Sequence, residues 1–168
     1  MLTWLLITFL VTADRPASNV SHARHIRPLS DIARATIAEA ARRSQTVSCM
    51  LDELERLNVI VYVNVDFLLS RIRGSTMLRT ANGFRFITVS LDVTLDPLRR
   101  MEMLGHELQH ALEIARTDVG DQAGLRRLYQ TIGWDLGAGS FETSEAITVE
   151  RTVRRELHLP RPKTQFLP

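Results

Sequence analysis

The 168-residue chain is 45% apolar and carries a formal charge of +2, which suits one compact domain with a single core, since two half-sized domains would each be under-packed. Its basic residues are spread along the whole length instead of forming a block, so nucleic acid is not expected as a partner. Cys49 is the only cysteine, which excludes an intramolecular disulfide or a thiolate cluster and leaves His, Asp and Glu to hold any metal.

Residues 1–13, Met1 to Ala13, form an uncharged apolar run ending Val11-Thr12-Ala13, the small-residue pattern of a signal-peptidase site. The run reads as a signal peptide of an exported, periplasmic or extracellular protein; the alternative is a buried N-terminal element. It is too short to span a bilayer, so no stable membrane span is expected. Lys163 is the sole lysine among 21 basic residues, an arginine bias that fits a GC-rich bacterial genome. Residues 14–28 are polar, hold Pro16 and Pro28 and show no period, so they are expected to be a linker in which His22 and His25 are surface residues.

The folded domain is expected over residues 29–159. Ser30 can cap a helix from Asp31 to about Arg43, and Thr46 or Ser48 can start a second through Leu57, with Cys49 as a small core residue. Val59, Val61, Val63 and Val65 alternate with Ile60, Tyr62 and Asn64, the period and β-branched content of a buried strand. Thr76 to Thr80 and Phe84 to Leu91 flank Asn82-Gly83, whose positive φ angles suit a tight hairpin. An α+β fold with a small, antiparallel-rich sheet follows. Asp96-Pro97 opens a helix to about Arg116, because Asp caps free amides and Pro fits the first helical position. A shorter helix runs from about Asp121 to Gly133, and a last one follows the loop at 137–140 and ends near His158. Residues 160–168 are expected to be a flexible tail.

The helix from Asp96 carries His106-Glu107-Leu108-Gln109-His110. Two histidines four residues apart project from one face and can meet a single ion. Two imidazoles leave a zinc ion short of protein ligands, so water can bind, become acidic and attack a carbonyl, with Glu107 to accept the proton. Met101, Leu104, Leu108, Leu112 and Ala115 form a core-facing stripe almost opposite the histidines. Met103 and Ile114 flank the histidines on their own side, as in one wall of a cleft. Glu113 shares the histidine face, but a rise of about 1.5 Å per residue keeps it from joining both histidines on one ion. It is expected to act behind a ligand or in a salt bridge.

Gly105-His106-Glu107-Leu108-Gln109-His110-Ala111-Leu112, on a helix after a sheet, resembles the zincin metallopeptidases. The resemblance implies a zincin-like fold, Zn2+ on His106 and His110, and Glu107 as catalytic general base. Arg116 stands where metzincins carry a third histidine, so the likeness is to the gluzincin branch, whose third ligand is a Glu on a later helix. Glu142, Glu145 and Glu150 are the candidates. On the last helix, Glu142 falls within roughly 20° of the stripe of Ala146, Val149, Val153 and Leu157, and Glu145 and Glu150 lie roughly 60–80° away on opposite sides. Glu142 is therefore the expected third ligand, because a buried carboxylate needs a cation. Phe141-Glu142-Thr143, taken with His106 to Ala115, is also similar to small bacterial proteins predicted to be peptidases. Ala146 departs from the acidic residue that gluzincins commonly carry one turn after the third ligand.

Tyr129 is a candidate to hydrogen-bond a developing oxyanion, against the alternative of a buried structural tyrosine. The function expected is metallopeptidase action on a peptide or protein substrate. The alternatives are hydrolysis of a non-peptide amide and a non-catalytic, zinc-stabilised interaction protein, although an unligated Glu107 beside the metal would give a structural site nothing. If export is right, mass spectrometry of the protein from its native host should show a mature chain beginning near Asp14. Mainly full-length protein in the cytoplasm would remove the case for a signal peptide.

Overall fold

A computed structural model describes residues 25–69, 72–137 and 139–159. The expected signal peptide, most of the linker and the tail lie outside the described residues. The five described helices all start on a side-chain cap, which satisfies amides that have no partner in the first turn. They are α1 (Asp31–Arg43) on Ser30, α2 (Gln45–Leu54) on Ser44, α3 (Pro97–Ala115) on Asp96, α4 (Gln122–Ile132) on Asp121 and α5 (Ser144–His158) on Thr143. The expected start of α2 at Thr46 or Ser48 is corrected to Ser44, and the helix ends at Leu54. The reason is a contact distant in sequence: Ser44 Oγ meets Glu156 of α5, whose other oxygen accepts from the Thr46 hydroxyl at 2.8 Å. Cys49 is exposed on α2, not in the core, because Val47, Met50 and Leu54 form the buried side of that helix.

The strands are β1 (Ile26–Pro28), β2 (Ile60–Asp66), β3 (Gly74–Ala81) and β4 (Phe84–Asp92), arranged in the order β1-β2-β4-β3. Only β3 and β4 pair antiparallel; β1–β2 and β2–β4 are parallel. The expected antiparallel-rich sheet is therefore corrected to a mixed one. The chain leaves β2, crosses to the far edge as β3, and returns through the hairpin to lie beside β2. Asn82 and Gly83 make that turn with φ of 51° and 78°, the paired positive values of a two-residue hairpin. Residues 26–28, expected as linker, form an edge strand, because Ile26 buries its side chain and pairs with Val61. A short second sheet pairs β5 (Gly133–Gly137) with β6 (Ser140–Thr143) antiparallel. The protein is thus α+β, and no described helix is long and apolar enough to cross a membrane.

Val61, Val63, Ile87, Val89 and Leu91 are fully buried on one face of the sheet, where they meet Leu104, Leu108 and Leu112 of α3 in one core cluster. Residues 104–115 of α3 are all buried, so this helix is covered on its histidine side as well as its core side. The cover is α5. A Cβ on Gly105 would lie 2.7 Å from Cγ2 of the fully buried Val153. The absent side chain lets α5 approach closely enough to present its residues to the histidines.

Gly105→Ala should therefore cost about 1–3 kcal/mol by overpacking, measured by denaturant unfolding. Most of that loss should vanish in a Val153→Ala background, since the two side chains contend for one space. Equal losses in both backgrounds would show that the close approach is not what Gly105 provides.

Candidate metal centre

His106 and His110 sit one turn apart on α3, with ring centroids 5.0 Å apart. Both are buried, and both turn Nε2 toward one carboxylate: Glu142 Oε2 is 3.5 Å from His106 Nε2, and Glu142 Oε1 is 3.5 Å from His110 Nε2. Charge-assisted hydrogen bonds close to about 2.7–2.9 Å, so this spacing is long for direct pairing. Ligand atoms about 2.0–2.2 Å from a tetrahedral ion lie roughly 3.3–3.5 Å apart, and the observed distances match that separation. One ligand atom from each of His106, His110 and Glu142 lies within 4.8 Å of the others, so the group could hold a metal ion. Two imidazoles and a carboxylate are a donor set that zinc accepts with one position left open.

The other ring nitrogens face carboxylates too. Glu113 Oε2 is 2.9 Å from His110 Nδ1, and Glu150 Oε2 is 3.4 Å from His106 Nδ1. The second approach stops short of a hydrogen bond and leaves His106 Nδ1 a buried nitrogen without a partner. A carboxylate behind each imidazole is the arrangement that fixes ring orientation and raises ligand basicity at metal sites. Glu113 is itself held: Thr143 Oγ1 donates to its Oε1 at 2.7 Å, and Gln109 Nε2 lies 3.3 Å from the same oxygen. Glu150 is anchored by Arg154 Nη2 at 2.6 Å.

Glu107 points elsewhere. Its carboxylate is 4% exposed and meets the Thr76 hydroxyl at 2.7 Å. Gly74 makes room for it, because a Cβ there would lie 2.5 Å from Glu107 Oε1. Burial pushes the Glu107 carboxyl up to about 7, against the opposing pull of His110 and the Thr76 hydrogen bond. For His110, burial works to lower the value, but Glu113 and Glu142 outweigh it and raise it to about 9. His106 moves the other way: burial dominates and lowers it despite Glu142. Burial would raise Glu142, yet His110 and the Thr143 amide hold it below the usual carboxylate range.

The expected position of Glu142 on the last helix is corrected: it stands on β6, and α5 begins only after the Thr143 cap. Gly137 and Gly139, with φ of 92° and 78°, turn the chain back, and the register sets Glu142 opposite Trp134. The angular comparison with Glu145 and Glu150 thus does not apply to Glu142, although its carboxylate reaches the histidines. Glu145 is exposed. Tyr129 is 5% exposed, stacks on Phe141 at 5.2 Å and places its hydroxyl 3.4 Å from His110 Nδ1. That nitrogen faces away from Glu142. The position suits holding the ring from behind, as a buried structural tyrosine would. Burial, then Glu113 and Glu107, push its phenol well above the ordinary range. Thr76, Gly74 and Thr143 were not legible as site residues, since each reaches it only through strand register or a cap. Glu150, named from the sequence as a candidate third ligand, stands instead behind His106, held by Arg154 one turn on.

No protein-family model, curated protein or solved structure matches the chain.

Glu142→Ala should bind an added divalent metal far more weakly than the parent, while Glu145→Ala binds it as the parent does. Glu150→Gln and Glu113→Gln should each weaken metal binding by roughly 10- to 100-fold in chelator competition, the usual effect of losing a carboxylate behind a ligand. Equal metal binding by Glu142→Ala and the parent would reject the assignment.

Proposed function

We propose that the chain is a zinc-dependent hydrolase with a zincin-like fold, cleaving peptide bonds. One observation carries the reading: a buried, unpaired-by-cation carboxylate, Glu107, stands between two histidines whose Nε2 atoms share Glu142 and whose Nδ1 atoms are each backed by another carboxylate. A site that served stability alone would close its fourth position with a protein ligand and would gain nothing from burying Glu107 beside it.

When bound, zinc supplies Lewis acidity, making water acidic near neutral pH and polarising a carbonyl. The residues supply the rest. His106, His110 and Glu142 hold the ion, Glu113 orients the His110 ring, and Glu150 places its charge 3.4 Å from His106 Nδ1. Glu107 lies between the two histidines in sequence but is turned toward β3, where Thr76 holds one oxygen. From there it takes a proton from the attacking water and returns it to the departing amine. Burial raises its carboxyl above the usual carboxylate range, toward the value that suits both halves of that transfer.

The sheet edge favours a peptide over another amide. Arg73 O accepts from Asp92 N at 2.9 Å, so odd-numbered residues of β3 turn their main chain toward β4. Gly74, Thr76 and Leu78 turn theirs to the outer edge. Gln122 Nε2 meets Leu78 O there at 3.3 Å. Gly74 and Thr76, the residues touching Glu107, have no main-chain partner among the described residues. An extended peptide can add to that edge by backbone hydrogen bonds.

Glu107→Gln should keep its zinc and its fold while hydrolysis of a peptide mixture falls by roughly 10²- to 10⁴-fold, the loss expected when a general base is removed. His106→Ala should lose metal and activity together. Undiminished cleavage by Glu107→Gln, or a zinc-loaded parent that cleaves no peptide, would overturn the mechanism, and the latter would favour a structural zinc.

A further inference from the structure

A cleft of about 310 Å³ opens beside the metal centre, lined by Arg73, Leu95, Arg99, Glu102, Met103 and Glu150. It touches the site at two points. Glu150 is the carboxylate 3.4 Å from His106 Nδ1. Met103 shares with Glu107 the space left by Gly74, their atoms lying 2.8 and 2.5 Å from where its Cβ would be. The cleft therefore begins about one side chain away from both Glu107 and His106.

Its charges do not balance. Glu102, 2% exposed, accepts on one oxygen from both Arg99 Nη1 at 2.8 Å and Arg154 Nε at 2.9 Å. Arg154 also holds Glu150 at 2.6 Å. Two carboxylates thus answer two guanidiniums, and Arg73 is a third. No carboxylate pairs with Arg73 among the described residues. Asp92, opposite it in the sheet, turns Oδ1 to the Thr94 amide and hydroxyl at 2.8 Å each. Arg73 is exposed and immediately precedes Gly74 on the edge strand. Leu95 and Met103 add apolar wall to the same cleft.

We propose that this cleft is a subsite for a carboxylate one or two residues from the bond that is cut, with Arg73 as the residue that selects it. The reading rests on the hydrolase assignment above. An extended chain along β3 advances about 3.3 Å per residue, so a substrate centred on Glu107 brings a neighbouring residue past Gly74 to Arg73. An aliphatic stem fits against Leu95 and Met103, and a carboxylate meets a guanidinium that no carboxylate pairs with among the described residues. An acidic side chain and the free C-terminus of a short peptide both offer that group.

The test measures binding to zinc-loaded Glu107→Gln protein, so that it does not depend on cleavage. Four labelled, alanine-rich peptides of equal length are compared in two pairs: one internal Glu against Gln at each position, and a free C-terminal acid against its amide. The carboxylate member of one pair should bind about 10- to 150-fold tighter than its neutral partner, the range of a charged hydrogen bond. The pair that shows the preference identifies side chain or terminus. In the same background Arg73→Gln should abolish the preference, and Arg73→Glu should reverse it, with the thermal midpoint unchanged because Arg73 is exposed. Equal binding within both pairs, a preference that survives Arg73→Gln, or no binding of any peptide would overturn the subsite. Parallel assays on the parent separate the two claims. Cleavage without carboxylate preference retains the hydrolase and rejects the subsite, whereas Arg73-dependent binding without cleavage retains the subsite and rejects the hydrolase.

Discussion

Burial of charge on α3 is the constraint from which the rest of the structure follows. Glu102, Glu107, Glu113, His106 and His110 are all less than 10% exposed on this one helix. An ionised carboxylate removed from water is costly unless a cation or hydrogen bonds replace the lost solvent. Each of these groups has a different answer. Glu102 has two arginines, Glu113 has His110 and the Thr143 hydroxyl, and Glu107 has the Thr76 hydroxyl with a carboxyl shifted toward its neutral form. Among the described residues Glu142 has two imidazole nitrogens at 3.5 Å and its neighbour's amide. That arrangement gains most from a cation placed between them.

Holding such a set requires backbones to approach α3 more closely than side chains usually allow. Two glycines do this from opposite sides. Gly105 lets Val153, and with it Glu150, press against the histidine face, and Gly74 lets the edge strand pass over Glu107. Both work by what a Cβ would strike, not by an unusual φ. The helix is thus gripped between a strand that handles the proposed base and a helix that handles the proposed ligands. This division keeps the Glu107 carboxylate off the metal ligands although it is adjacent to His106 in the chain.

Local chemistry in the sequence foretold the elements whose causes are local. The Asp96-Pro97 start of α3, the Ser30 cap of α1 and the Asn82-Gly83 turn depend on residues within a few positions of one another, and each stands where the pattern puts it. What the pattern missed depends on partners distant in sequence. Ser44 caps α2 with Glu156 of α5 against its hydroxyl, β1 exists because Val61 is there to pair with it, and parallel pairing of β2 with β4 leaves no mark on either strand. In the site, helical spacing joined His106 and His110 correctly. It assigned Glu142 to the wrong element, because a four-residue strand ending on a cap cannot be told from the first turn of the helix it precedes.

That error has a physical consequence, because a ligand on a strand end is controlled differently from one on a helix face. Thr143, 1% exposed, follows Glu142 directly and accepts from Ala146 N at 3.1 Å, which starts α5. The same hydroxyl has one proton to donate and gives it to Glu113, which backs His110. The Thr143 amide meanwhile donates to Glu142 Oε1 at 2.8 Å, the oxygen that faces His110 Nε2. One residue therefore joins the start of α5, the carboxylate of the proposed third ligand and the support behind His110. Were Glu142 within the helix, its position would follow from helical geometry and the packing of α5 as a body. On β6 it is set by this cap and by pairing with Trp134, so the site is assembled only when the β5–β6 hairpin and α5 are both in register. The candidate metal centre is in that sense a check on the fold of the C-terminal third, and its completion depends on contacts that α3, with both histidines already in place, cannot make alone.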